Sequence, residues 1–224
     1  ININQKVEPR VVEGIIIKEM EQHSLLDNFI IKSANEIYEY DEDSGLWEER
    51  KNNEVSEKII ELYQENFGHS LTQQDISYLE SANTLSKVHT KFTSNTTRNK
   101  RDKKRAALLD ANPYLFPFNN LVYDLENCVL REIQKTDYLT TTTGHNIRQY
   151  DEIPVEEHEL IKYFYETILP IHDEREFFKN LVASCLPKTT KEKILVILTD
   201  RREGNNGKST LMDAICGVYG KLAH

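Results

Sequence analysis

The sequence has few of the residues that mark a cross-linked or metal-held protein. Its three cysteines, Cys128, Cys185 and Cys216, lie far apart without paired spacing, and the seven histidines are equally scattered. Such scatter favours neither a disulfide framework nor a zinc site. We therefore expect reduced thiols that are buried or partly buried, as in a protein of a reducing compartment.

Glycine, proline and long apolar runs are also scarce. The 224 residues include 8 Gly and 6 Pro, with 29% charged and 38% hydrophobic residues. This composition excludes collagen-like and low-complexity chains and is typical of a helix-rich globular protein. The apolar runs are far shorter than the ~20 residues that cross a bilayer, and no charged-then-apolar leader opens the chain. These features predict an intracellular protein, cytoplasmic or nuclear, that is not secreted and has no membrane partner.

Basic residues are sparse except in one segment. The net charge is −9, and residues 1–60 contain fourteen Asp/Glu against seven Lys/Arg, whereas residues 87–105 contain eight Lys/Arg against one Asp. The densest part holds six cations in eight residues: Arg98, Lys100, Arg101, Lys103, Lys104 and Arg105. A local basic segment in an acidic chain can face the DNA backbone, so these six residues are candidate DNA contacts. The alternative is a solvated loop or helix face.

A second polar segment has the pattern of a phosphate-binding loop. It follows the apolar run at residues 194–198 and precedes a helical pattern at 211–219, and it comprises Gly204, Asn205, Asn206, Gly207, Lys208, Ser209 and Thr210. Glycines let backbone N–H groups wrap an anion, and the following helix adds its positive end. Lys208 would reach the β and γ phosphates of ATP or another NTP, and the Ser209 hydroxyl would bind Mg²⁺.

This loop departs from the full pattern at one position. Arg202 stands five residues before Gly207, where the pattern has a glycine. The strand-loop-helix order still favours a nucleotide site, because the motif is credible only in that context. The alternative is a polar turn that happens to precede Lys-Ser-Thr.

Periodicity and turn residues predict an α+β N-terminal domain with small antiparallel sheets. Trp47 is expected to pack in a core rather than stack on a base. The expected helices are 11–24, 55–67, one that starts at 72–75, a loosely helical stretch over 77–97, 155–169 and 172–186; the expected strands are 29–31, 37–40, 46–50, 121–125, 129–132, 138–143 and a buried strand at 194–198.

A polar, proline-containing stretch at 151–154 predicts the domain boundary. Residues 1–150 would form a collar or linker domain, and residues 151–224 a helical pair and the truncated beginning of an α/β P-loop domain of AAA+-like type. A phosphate-loop hydrolase also needs an acid on a second strand and an arginine from a neighbouring subunit. Neither can follow within residues 211–224, so we expect negligible NTP hydrolysis by this chain alone.

Three stretches together resemble a known family: Ile37 to Arg50, Leu109 to Leu125, and Leu195 to Leu211. The order is similar to the region that joins primase to helicase in the primase-helicases of large nucleocytoplasmic DNA viruses, satellite phages and related plasmids. Their motors belong to helicase superfamily 3, whose loop typically carries an Asn where Asn206 stands. In the second stretch, that family usually has an asparagine followed by a glycine, whereas here Leu121 follows Asn120.

The resemblance implies that the parent protein is a replicative DNA helicase and an NTP hydrolase. It would form a hexameric ring by self-association, use ATP or another NTP with Mg²⁺, and move along DNA. No primase chemistry is expected in this chain. The acids Asp41, Glu42 and Asp43 lie in a turn, and adjacent acids there are usually solvated rather than metal ligands.

Two other functions remain open. The chain could be a non-catalytic module that assembles subunits or grips DNA, with the loop a remnant. It could also be a small P-loop kinase or signalling NTPase, although in those proteins the phosphate loop usually lies near the start of the domain. Here about two hundred residues precede it.

Overall fold

The computed structural model describes residues 12–189, 196–199 and 207–223. Within them the fold is α+β, with two three-stranded sheets and eight α-helices. The chain divides into two compact units. Unit 1 contains residues 12–42 and 47–109, and unit 2 contains residues 43–46 and those from 110 onward. These units are defined by contacts, and the division at residue 150 into collar and helicase regions stays a prediction.

Unit 1 packs helices against one sheet. Its strands run in the order β1 (Phe29–Ser33), β2 (Glu36–Asp41) and β3 (Leu46–Arg50), the last of which begins at the unit boundary. β1 and β2 pair antiparallel, with Phe29 opposite Glu39 and Ile31 opposite Ile37. The helices are α1 (Glu13–Gln22), α2 (Asn52–Phe67), α3 (Gln73–Leu79), α4 (Ala82–Thr93) and α5 (Thr96–Ala106).

The core of unit 1 forms where the apolar stripes of α1, α2 and α4 meet β1. Ile16, Phe29, Ile59 and Phe92 are completely buried there. The Phe29 and Phe92 rings meet edge to face, with centroids 5.8 Å apart. Trp47 is also buried, which confirms its expected core role.

Unit 2 contains the second sheet, with antiparallel strands β4 (Leu115–Pro117), β5 (Val122–Asp124) and β6 (Val129–Arg131). The predicted hairpin is therefore confirmed, but its third strand is β4 and not residues 138–143. The latter segment makes isolated contacts instead of a ladder, such as the Thr143 N–H to Pro117 O bond of 2.9 Å. Leu139 is nevertheless buried with Leu115 and Val122.

Three further helices complete the described part of unit 2: α6 (Val155–Ile168), α7 (His172–Ser184) and α8 (Lys208–Tyr219). α6 and α7 confirm the predicted helical pair. The buried strand expected at 194–198 is not seen in its described part. Residues 196–199 have no strand assignment, since the described residues offer them no ladder partner, and Ile197 is 71% exposed.

The three cysteines correct another expectation. Cys128, Cys185 and Cys216 are unpaired, and all three are exposed rather than buried or partly buried. Cys128 lies between β5 and β6, Cys185 follows the last residue of α7, and Cys216 lies within α8. All three positions leave the side chain exposed, so cysteine's general preference for the interior gave the wrong prediction here. In the described ranges, no helix combines the length and apolarity needed to cross a membrane.

Candidate nucleotide site and candidate nucleic-acid interface

The described part of the predicted phosphate loop lies at the beginning of α8. Gly207 is the residue before the helix, and Lys208, Ser209 and Thr210 form its first turn. The described residues do not include Gly204, Asn205 or Asn206. They also do not include Arg202, which stands where the full pattern has a glycine. The structure therefore shows the helix end of the loop.

Gly207 has the backbone conformation that a phosphate cradle uses. Its φ of 77° and ψ of 7° are left-handed, and the helical Lys208 follows directly. Successive left- and right-handed residues turn their N–H groups toward a common point, which makes an anion-binding concavity. Gly207 also has no side chain to cap the helix, so it cannot occupy the first-turn N–H groups as an Asn or Ser would.

The first turn of α8 is anchored on one side and open on the other. Leu211 is buried and its N–H donates to Gly207 O at 2.9 Å. Lys208 is partly buried, while Ser209 and Thr210 are exposed. A hydroxyl and an ammonium group beside a helix N-terminus can hold a phosphate and its Mg²⁺ without displacing the helix.

Ile168, at the end of α6, packs against the loop glycine. A Cβ added to Gly207 would lie 2.9 Å from Ile168 Cγ1, which is closer than such atoms come in proteins. Both the left-handed φ and this contact therefore favour glycine over any other residue at position 207. Sequence reasoning missed Ile168, because nothing in the pattern of a helix about forty residues earlier points to the loop.

The basic segment forms helix α5 and its cations divide between two faces. Asn95 caps the helix, and its Oδ1 accepts from the N–H groups of Thr97 and Arg98, both at 3.1 Å. Because 3.6 residues make a turn, positions 98, 102 and 105 share one face and positions 100, 103 and 104 the opposite one. Arg98 and Asp102 face the interior of unit 1.

Asp102 is the centre of a buried ion cluster. Its carboxylate is completely enclosed and accepts the Ile31 N–H at 3.2 Å. The same carboxylate lies 3.2 Å from Arg98 Nε, 3.3 Å from Arg105 Nη1 and 3.4 Å from Arg101 Nε. One acid thus neutralises part of three cations, and it ties α5 to the edge of β1.

The buried arginines also satisfy backbone carbonyls. Arg98 Nη2 donates to the carbonyl oxygens of Leu26 and Phe29, and its guanidinium lies 4.6 Å from the Phe92 ring centroid. Arg105 donates to Phe29 O and Asp27 O, both at 2.9 Å. Burial lowers the pKa of Arg98 to about 10, with Asp102 opposing that shift, so the group stays charged at neutral pH.

These contacts correct the assignment of Arg98 as a DNA contact. Its side chain is only 1% exposed, and its hydrogen bonds go to unit 1. Arg105 is mostly enclosed in the same way, with its guanidinium 5.2 Å from the Trp47 ring centroid. Arg101 is half exposed and pairs with Asp27 at 3.1 Å.

The remaining three candidates form a lysine face on α5. Lys100, Lys103 and Lys104 are all exposed and stand on the side away from Asp102. In the described ranges, no carboxylate forms an ion pair with any of them. These ammonium groups can meet a polyanion without first breaking an internal contact.

The predicted solvated turn at residues 41–45 joins β2 to β3, and Gly45 adopts a φ of 71° there. Among the described residues, no group of three or more His, Cys, Asp or Glu side chains is arranged to hold a metal ion.

Residues 22–170 match the family described as D5 N terminal like, which is 149 of the 224 residues. The chain belongs to the D5 N-terminal-like family. The match includes both sheets, the ion cluster of α5 and Ile168, and it ends before the phosphate loop.

Two viral proteins are similar to this D5 N-terminal-like chain. "Putative helicase L207/L206" of Acanthamoeba polyphaga mimivirus is 28% identical over 242 aligned positions, covering 94% of this chain and 25% of that protein. "Putative helicase 121R" of Invertebrate iridescent virus 3 is 32% identical over 116 positions, covering 51% of this chain and 12% of that protein. The chain thus spans a quarter or less of the length of these relatives.

Proposed function

We propose that this chain is part of an NTP-dependent DNA helicase of superfamily 3, to which it contributes the region before the motor and the phosphate loop. The family match and two relatives named as helicases support the class of protein. The conformation of Gly207 before Lys208 and Ser209 carries the assignment of the nucleotide site.

In this proposal the first turn of α8 binds the triphosphate of ATP or another NTP. Backbone N–H groups of the loop hold the phosphates, Lys208 neutralises charge on the β and γ groups, and Ser209 binds the Mg²⁺ that bridges them. Residues from about 151 onward would be the beginning of an AAA+-like P-loop domain. An acid and an arginine outside residues 12–223 would complete the catalytic site, in a hexameric ring around DNA.

Lys208→Ala in the full-length protein tests the nucleotide site. We expect NTP turnover to fall by about 100-fold or more, because the variant lacks one preorganised charge that stabilises the transition state. The matched control is Lys162→Ala, which removes an exposed lysine from α6 and should leave turnover unchanged. Turnover by Lys208→Ala at the wild-type rate would show that this loop does not bind the reacting phosphates.

We further propose that the lysine face of α5 contacts the DNA backbone. Replacing Lys100, Lys103 and Lys104 together with alanine should weaken DNA binding and reduce its dependence on salt concentration. If each lysine neutralises one phosphate, the slope of log K against log salt falls by about 0.7 to 0.9 for each lysine replaced. Fluorescence anisotropy with a labelled oligonucleotide at several salt concentrations measures both quantities.

The control for this experiment removes three lysines from other elements of unit 1. Replacing Lys32, Lys51 and Lys58 with alanine changes the net charge by the same amount and leaves α5 intact. Each of these lysines lies beside a glutamate. If both variants lose affinity to the same extent, total charge and not the lysine face governs binding. An unchanged slope in the α5 variant would contradict DNA contact there.

A second candidate function is a non-catalytic collar that assembles subunits. The compact unit 1, with its own buried core, favours a module that folds without the phosphate loop. Analytical ultracentrifugation of the chain with and without DNA tests this candidate. A collar that drives assembly stays oligomeric without nucleotide, whereas a monomer at every concentration would contradict it.

A further inference from the structure

The far end of the phosphate-loop helix is held by a turn from the D5 N-terminal-like region. The Lys221 N–H donates to Thr143 O at 3.1 Å, and His145 Nε2 lies 3.0 Å from Gly217 O. Since a carbonyl only accepts, the imidazole donates from Nε2. We name the contact between residues 143–145 and residues 217–221 the α8 latch.

Gly220 lies where the two segments of the latch approach each other most closely. Its φ is 53°, and a Cβ at this position would lie 2.0 Å from Thr143 O and 3.1 Å from His145 Nε2. A side chain would therefore collide with backbone, which cannot move aside as the end of a long side chain can. Close approach of the two segments depends on this glycine.

Asn119 and Asn120, which follow β4, attach residues 143–145 of the latch to the second sheet. Asn119 N–H donates to His145 O at 2.9 Å, and Asn119 Oδ1 accepts from the Thr142 hydroxyl. The Asn120 side chain accepts the Ile147 N–H at 2.9 Å and donates to Ile147 O at 3.0 Å, as a strand neighbour would. These bonds give a structural role to Asn119 and Asn120, which the nucleotide site does not use.

Tyr219 adds a second attachment at the same end of α8. Its hydroxyl donates to Val182 O at 2.9 Å, and its ring meets Phe116 of β4 edge to face with centroids 5.5 Å apart. The helix therefore contacts the sheet at its last turn and Ile168 at its first. Residues of the D5 N-terminal-like region hold both ends.

We infer that His145, Gly220 and Asn120 are positioning residues for nucleotide binding, acting through α8. The helix has 12 residues and is about 18 Å long, so a displacement at its latched end moves the phosphate-binding end as well. An intact latch keeps the N–H groups of the first turn of α8 in place before the nucleotide arrives, which lowers the entropy cost of binding. This inference rests on the proposed nucleotide site.

Gly220→Ala in the full-length protein tests the latch. We expect the KM for NTP to rise by about three- to thirtyfold while kcat changes by less than about twofold, because the variant loosens the binding end without removing Lys208. Gly68→Ala is the matched control. It adds the same methyl group at a glycine of unit 1, outside α8 and the latch, where nothing lies within 4 Å, and should leave KM unchanged.

His145 supplies a second test in case Gly220→Ala does not fold. His145→Ala should raise KM in the same direction, and His145→Gln, which keeps an N–H donor, should restore most of the affinity. Hydrogen exchange gives an independent readout. Mg²⁺-nucleotide should slow exchange of the Lys221 amide, and His145→Ala should abolish that protection.

The outcomes separate the latch from the nucleotide site. If the wild-type protein neither binds nor turns over NTP, the proposed nucleotide site is wrong and the latch falls with it. If the wild type binds NTP but the folded latch variants keep its KM and retain full Lys221 protection, only the latch is overturned.

Discussion

Helices α5 and α8 both begin in polar, cation-rich sequence, yet they use their ends and charges in opposite ways. α5 is closed at its N-terminus by Asn95, and its arginines are bound to Asp102 and to backbone carbonyls of unit 1. α8 is preceded by Gly207, which offers no side chain as a cap. The difference teaches that a run of cations can serve the fold, whereas the ligand-binding role that we propose for Lys208 is supported by the left-handed glycine before it.

The largest effect should come from breaking the ion cluster. Asp102→Ala leaves three arginines and the Ile31 N–H without their shared acceptor, and removing one partner of a buried pair costs about 3–5 kcal/mol. Urea unfolding followed by fluorescence measures this destabilisation, because Trp47 is the only tryptophan and is buried in unit 1.

Two variants sharpen this measurement. Asp102→Asn keeps an acceptor for the Ile31 N–H but loses the charge, so its stability should lie between those of wild type and Asp102→Ala. Glu42→Ala removes an exposed acid from a turn and should change stability by less than about 0.5 kcal/mol. Equal stability of Asp102→Ala and wild type would show that the cluster does not hold α5 on β1.

A smaller effect should follow from changing the residue that precedes the phosphate-loop helix. Gly207→Ala places a Cβ at a φ of 77° and 2.9 Å from Ile168 Cγ1. The left-handed conformation alone costs about 1–2 kcal/mol in a non-glycine residue. We expect chemical unfolding followed by circular dichroism to show at least that destabilisation, and nucleotide affinity to fall as well.

The double variant Gly207→Ala with Ile168→Ala separates the two causes. It removes the contact but keeps the unfavourable φ, so nucleotide affinity should recover only in part. Full recovery would mean that the contact with Ile168, and not the backbone conformation, makes glycine necessary at residue 207.

The smallest effect should come from the cap of α5. Asn95→Ala removes the acceptor of two N–H groups and should destabilise unit 1 by about 1 kcal/mol in the same Trp47 assay. Asn95→Ser retains a capping oxygen and should recover part of that stability. A destabilisation as large as in Asp102→Ala would mean that the Asn95 bond to Glu21, rather than capping, dominates.

Local signals predict most elements of the fold. Alternation and turn residues indicate β1 to β3, and apolar stripes indicate α2, α6 and α7. The helix start at Thr72 is also confirmed, since its hydroxyl accepts the Asp75 N–H at 3.3 Å. These features depend on residues within one helical turn or one hairpin, and they can therefore be predicted from a single sequence.

Features that depend on distant partners could not be predicted. Residues 138–143 have strand-like composition, but Leu115–Pro117 takes the place beside β5. Nothing local distinguishes Arg98 from Lys100, because their different environments depend on which face of α5 meets β1. At the candidate site, the motif pointed to Gly204 to Thr210, whose nucleotide role stays a prediction, whereas Ile168 and the α8 latch are contacts across tens of residues.

The bond between the Ile31 N–H and Asp102 joins positions 71 residues apart. Closing so long a loop takes place slowly, whereas α5 needs only its own residues to begin forming. We therefore expect this bond to form late on the folding pathway of unit 1. Its removal would then mainly speed up unfolding and shorten the lifetime of the native state, while the rate of refolding stays nearly constant.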